Sequence, residues 1–330
     1  MKKNIVYVDT IYPLLIYLVL GISNGDDFYI FGEDIPKEIC NKFKNNYRII
    51  YKIKYKIKLE QYYKYYKTKK ILKKILNSYT KFDDLYLQDH LRYSNFFINE
   101  IGGSNFILED GIMNYFVDKK KILQEITERK LIKKIREKLL FGKEFIFLSL
   151  GLSKKITKIY LTGILPVPEI IKDKVEIINI ETKWNLLSIE KKKEILDIFD
   201  IKLEKLENLK NEKEKILLIT QPLSEDNIIS EEEKIDIYSN LLKERDIKKI
   251  YIKSHPREKT DYTKVFQNIE VVIIEKEFPI EIFMLLNMEF KKVITLFSTA
   301  ALNFKNKYDV EFIGTKDYKA LYDKFGDIKI

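Results

Sequence analysis

The order of apolar runs along this chain predicts an α/β protein built from two Rossmann-like domains with parallel sheets. Three observations carry the expectation. Short β-branched or aromatic runs recur along the whole length, helix-like segments separate them, and the alternation occurs as two successive series. Strands joined through helices pair in parallel and are covered on both faces. The 330 residues, 45% hydrophobic and 13% aromatic, suffice for two ordinary cores.

The first series contains "NIVYV" (4–8), "FYIF" (28–31), "YRIIYKI" (47–53), "LYL" (85–87) and "FIL" (106–108). The stretch at 11–22 follows the first strand and reads as a buried helix. It is too short to span a bilayer, and Asp9 interrupts the likeness of the N-terminus to a secretory signal. From 112 to 142 the pattern is charged and helical, as in "KKKILQEITERKLIKKIREKLL". The second series runs through "KIYLTGI" (158–164), "KVEIINI" (174–180), "KILLIT" (215–220), "KKIYIK" (248–253), "EVVII" (270–274), "KVITLF" (292–297) and "VEFIG" (310–314), with amphipathic helices at 188–199 and 230–245. This spacing places the domain boundary between 155 and 156.

The single cysteine, Cys40, excludes an intramolecular disulfide and a Cys-based zinc site, and a reducing cytoplasm suits it. Net charge is +10, and residues 51–80 hold ten lysines against the one acid Glu60. Lysine interleaved with tyrosine suits an anionic membrane surface, a nucleic acid, or simply a solvated helix face. No standard nucleic-acid-binding signature accompanies it.

Open parallel sheets hold ligands at the carboxyl ends of their strands, and three polar clusters fall there. "FILEDG" places Glu109, Asp110 and Gly111 after a strand, as a tight turn or as acid/base equipment. "IYIKSHPRE" places Lys253, His255, Pro256 and Arg257 after another. "VITLFSTAALNF" places Ser298 and Thr299 at a helix start, as a plain cap or a phosphate holder. With two histidines and seven prolines, a His-Pro pair arises by chance in about one such chain in 25, so this cluster is the most specific. The other histidine, His90 in "LQDHLRY", has no partner pattern and reads as a structural or surface residue.

Together the three motifs resemble those of bacterial sialyltransferases, and the chain is most similar to glycosyltransferase family 52, the lipooligosaccharide sialyltransferase family. The resemblance covers both halves and implies the GT-B fold, with two Rossmann-like domains facing a central cleft: 1–155 on the acceptor side and 156–330 binding the donor. It implies inverting transfer of sialic acid from CMP-sialic acid to a terminal sugar hydroxyl, galactose being the expected acceptor. Another sugar on the same scaffold, such as glucose, is the alternative. Glu109 or Asp110 is then the general base, with family precedent pointing to the first, and further acids at Asp226, Glu231, Glu232 and Glu233 are the reserve. His255 stabilises the leaving phosphate. Ser298 and Thr299 hold that phosphate, Lys253 reaches the phosphate or the cytosine carbonyl, Gly111, Pro256 and Arg257 are substrate-binding residues of their motifs, and Glu281 in "FPIEIFMLLN" binds ribose. The absence of an Asp-x-Asp between strand-like runs predicts that no metal or other cofactor is needed. The implied partners are CMP-sialic acid, an oligosaccharide or glycolipid, and an anionic membrane at the cytoplasmic face. There is room for a homodimer, and no nucleic acid is expected.

Overall fold

The computed structural model describes residues 3–49, 58–79, 82–118, 149–204, 214–276 and 278–328, with isolated positions 120, 124, 206, 210 and 212. Most of the charged stretch at 112–142, the end of the 47–53 run and the start of the lysine-rich segment lie outside the described residues.

Two compact units divide the chain, Met1–Ile198 and Phe199–Ile330. In the first, the β-branched and aromatic runs form β1 (Asn4–Val8), β2 (Phe28–Phe31), β3 (Asn46–Arg48), β4 (Asp84–Leu87), β5 (Ser104–Leu108), β6 (Lys158–Leu161) and β7 (Val175–Ile177). They make a parallel sheet in the order β3-β2-β1-β4-β5-β6-β7. In the second unit β8 (Ile216–Ile219), β9 (Lys249–Lys253), β10 (Glu270–Ile274), β11 (Lys292–Thr295) and β12 (Asp309–Phe312) form a parallel sheet ordered β10-β9-β8-β11-β12. All five residues of β1 are buried, and the helix Ile11–Val19 buries seven of its nine, because a parallel sheet is covered on both faces.

The domain boundary differs from the sequence expectation. The runs at 158–164 and 174–180 join the first sheet: Phe106 stands opposite Lys158, and Thr157 N–H donates to Asn105 O at 2.8 Å. The helices Ile180–Leu186 and Ile189–Ile198 also belong to the first unit, and the former packs on the helix Ile11–Val19. The division therefore falls at 198/199. An apolar run declares that it is a strand but not which sheet takes it, and here the free edge of β5 takes it.

The observed helix Lys58–Ser78 covers most of the lysine-rich segment. Among the described residues no helix is long and apolar enough to cross a membrane. Phe97 is fully buried, with its ring centroid 5.1 Å from that of Tyr7. Phe97→Ala should cost about 3–5 kcal/mol, read as a lower urea midpoint for the first unit.

Candidate active site

In both sheets the crossovers leave the central strand in opposite directions, so ligand-binding switch points lie between β1 and β4 and between β8 and β11. Each unit places the polar residues of its candidate motifs at the carboxyl ends of the strands that border these points or lie one strand away.

In the first unit Glu109 and Asp110, neighbours in sequence, have opposite environments. Glu109 is fully buried. Its carboxylate accepts Thr162 N–H at 2.5 Å, Thr162 Oγ1 at 2.8 Å, Tyr115 OH at 2.8 Å and Tyr12 OH at 3.1 Å. Burial holds its pKa above the usual carboxylate value despite these donors. Gly111 explains the third member of the motif. Its φ of 56° is in the left-handed region, where glycine avoids the strain of a side chain, and it turns the chain into the short 3₁₀ helix Met113–Tyr115. That return brings Tyr115 back onto Glu109.

Asp110 keeps partial exposure. Thr10 Oγ1 donates to its Oδ1 at 3.2 Å, and His90 Nε2 lies 3.3 Å from its Oδ2. Thr10 follows β1 and His90 follows β4, so both flank the switch point. Asp9, next to Thr10, donates its N–H to Gln88 Oε1 at 2.7 Å. The end of β2 is shaped to admit Asp9, since a Cβ on Gly32 would fall 1.4 Å from Asp9 Oδ1. Sequence reading assigned His90 no partner; the structure supplies one. Its available signal was position, directly after a strand run like the three motifs.

His90 is surrounded by carboxylates. Burial works against its charge, but the hydrogen bond and charge of Asp110, together with Asp89 and Asp9, outweigh burial and raise its pKa. Asp89 is fully buried and accepts the N–H groups of Leu150 and Gly151 at 2.9 and 2.8 Å; burial pushes it up to about 6.

In the second unit the two strand ends beside the switch point interlock. Gln221, after β8, accepts Phe297 N–H from the β11 loop at 3.1 Å, and its own N–H meets Tyr238 OH at 3.0 Å. Ser298 N–H donates to Thr295 Oγ1 at 3.0 Å, and Thr299 opens the 3₁₀ helix Thr299–Phe304. Asn303 of that helix donates to Glu281 at 2.8 Å. Glu281 is buried, and although it stands at the cap of helix Ile282–Leu285 its side chain does not cap it. Lys253 is largely buried, its ammonium 5.1 Å from the Phe278 ring centroid.

The His-Pro turn is held at several points. His255 N–H donates to Glu258 Oε1 at 2.7 Å, and Arg257 N–H donates to His255 Nδ1 at 3.2 Å. An Nδ1 that accepts leaves the imidazole proton on Nε2. Exposed Pro256 lies between, and Arg257 pairs with Asp226 at 2.6 Å. Two of the other reserve acids are engaged: Glu233 closes a capping box with Ser230, and Glu231 accepts from Thr260 at 2.6 Å, while Glu232 is exposed. Glu258, the last residue of that motif and given no role by the sequence reading, is the buried anchor of this turn. Among the described residues no group of three or more His, Cys, Asp or Glu is arranged to hold a metal.

Two doubly wound parallel sheets with polar strand ends define the GT-B class, and solved structures share the fold. An α/β-galactoside α-2,3-sialyltransferase from Photobacterium phosphoreum aligns with 98% of this chain and 94% of its own at a TM-score of 0.61 and 14% identity. A 2,6-sialyltransferase from Photobacterium sp. JT-ISH-224, solved with CMP and lactose, aligns with 94% of this chain and 71% of its own, also at 0.61 and 14%. A Haemophilus influenzae protein, itself uncharacterised, is 39% identical over 245 residues, covering 74% of this chain and 72% of its own. The family model for glycosyltransferase family 52 matches residues 27–316, and the chain belongs to that family. It is a glycosyltransferase.

The raised pKa of His90 makes the stability of the first unit depend on pH. A histidine favoured as a cation in the fold stabilises it fully below the unfolded value of about 6.5, and the contribution is lost as pH rises through the higher folded value. The stability of the first unit should therefore fall on going from pH 6 to 9, and His90→Gln should flatten that slope in urea titrations.

Proposed function

We propose that the chain transfers sialic acid from CMP-sialic acid, with inversion, to a terminal galactose hydroxyl of a lipooligosaccharide or related surface glycan. The observation that carries this reading is the His-Pro turn: His255 keeps its proton on Nε2, the donor a departing CMP phosphate needs. Family membership, and a fold neighbour solved with CMP and lactose, support the same choice of substrates.

In this reading Asp110 is the general base and Glu109 its brace. Glu109's oxygens are committed to four donors, whereas Asp110 is partly exposed and is held by Thr10 and His90. The acceptor hydroxyl gives its proton to Asp110 as its oxygen bonds the anomeric carbon. The bond from that carbon to the phosphate oxygen breaks, and His255 stabilises the departing charge. Ser298 and Thr299 hold the phosphate, Lys253 adds positive charge near it or meets the cytosine, and Glu281 takes the ribose hydroxyls. No metal enters this scheme, and EDTA should leave turnover unchanged.

CMP should raise the melting temperature while UDP, ADP and GDP do little, because a ligand of the native state stabilises it; a larger shift with UDP would instead assign another donor sugar. Asp110→Ala should lower turnover by about 10²-fold or more while preserving the CMP shift, and His255→Ala should weaken both. Equal turnover in Asp110→Ala and wild type would move the base elsewhere.

The same proposal places the enzyme at the cytoplasmic membrane face through the helix Lys58–Ser78. Tyr63, Tyr66, Lys67, Lys70, Lys73 and Lys74 are exposed at helical spacing, while Leu72 is fully buried on the other side. Lysines add about 1 kcal/mol each near an anionic leaflet, and tyrosine suits the headgroup level. Replacing Lys67, Lys70, Lys73 and Lys74 by glutamine should weaken sedimentation with phosphatidylglycerol vesicles without reducing transfer to a soluble acceptor. Unchanged sedimentation would make this face merely solvated.

A further inference from the structure

The helix Glu231–Lys243 carries a lysine in an unusual place. Lys234 is fully buried. Its ammonium donates to Glu225 Oε1 and Oε2 at 3.1 and 2.9 Å and to Ser224 Oγ at 3.2 Å, and lies 3.5 Å from Glu258 and 3.7 Å from Glu231. A buried ammonium is costly unless it is both paired and hydrogen-bonded, so such a group stays in place only with this company.

The second connection is what the carboxylates do with their remaining capacity. Glu258 Oε1 accepts His255 N–H at 2.7 Å and Thr220 Oγ1 at 2.8 Å, while Oε2 accepts Tyr262 OH at 2.6 Å. Glu225 Oε1 accepts Lys259 N–H at 2.6 Å. These backbone amides stand at the two ends of the turn 255–259, so one ammonium faces the carboxylates that grip both. Without it, the largely buried Glu225 and Glu258 would face one another as like charges, and repulsion or proton uptake would loosen their hold on the amides.

The geometry points to Lys234 as a positioning residue for His255, acting through Glu225 and Glu258. It holds the turn in the shape in which Arg257 N–H reaches His255 Nδ1, and so selects the imidazole tautomer with its proton on Nε2. The kinetic consequence rests on the proposed function; the tautomer does not.

The chain contains only two histidines, so ¹⁵N-histidine labelling resolves His255 directly, with His90 of the other unit as an internal reference. In Lys234→Met the His255 ring nitrogens should move from the values of an Nε2–H imidazole toward those of a tautomer mixture, while His90 stays unchanged. Turnover should fall about tenfold with acceptor KM within about twofold, the pattern of a lost transition-state contact. Leu241→Ala, which opens a cavity under the same helix, is the control: it should lower the melting temperature without moving the His255 signals. If the methionine variant does not fold, Lys234→Gln carries the comparison. A folded Lys234 variant with wild-type His255 signals, or a Leu241→Ala protein that shifts them equally, would reduce Lys234 to a stabilising residue and overturn the inference. A shifted tautomer in a protein that turns over no CMP-sugar would sustain the positioning role and count against the proposed reaction alone.

Discussion

A carboxylate buried at the end of a parallel strand costs several kcal/mol unless donors fill its oxygens, and each unit of this protein is organised around one such group. Glu109 collects donors from three chain segments, at Tyr12, Tyr115 and Thr162. Glu258 collects Thr220, His255 and Tyr262 and faces Lys234. In both cases the satisfied acid is not the group to which the proposed reaction assigns the chemistry. It fixes the turn whose neighbouring side chain, Asp110 or His255, retains contact with solvent.

This arrangement separates two demands that conflict in a single residue. A reactive group needs capacity left over for substrate, whereas a rigid turn needs its hydrogen bonds complete. The acidic-pair motif meets both demands with adjacent carboxylates of opposite burial, joined by a glycine whose left-handed backbone returns Tyr115 to the brace. The His-Pro motif meets them across four residues, with the backbone of His255 held by Glu258 and its ring by Arg257 N–H.

Electrostatic context differs between the units. Around Asp110 the local charge is acidic, and His90 is drawn toward its cationic form by three aspartates. Around the His-Pro turn a buried lysine offsets three glutamates. The excess positive charge of the chain is concentrated in residues 51–80, a stretch of sequence separate from either cluster, so net charge does not report the chemistry of the strand ends.

The sequence by itself determined the class of fold and the addresses of the polar clusters. Short β-branched and aromatic runs and the helices between them report local backbone preference, and strand ends in open parallel sheets are where ligands bind, so "LEDG", "SHPRE" and "FSTA" were legible as candidates. Tertiary structure alone decided which sheet received β6 and β7, because edge pairing is a long-range choice that an apolar run does not encode. It alone separated Glu109 from Asp110, since burial depends on residues as distant as Thr162. It alone brought His90 to Asp110 and Lys234 to Glu258, because both contacts join segments whose neighbourhood arises only when parallel strands align their carboxyl ends.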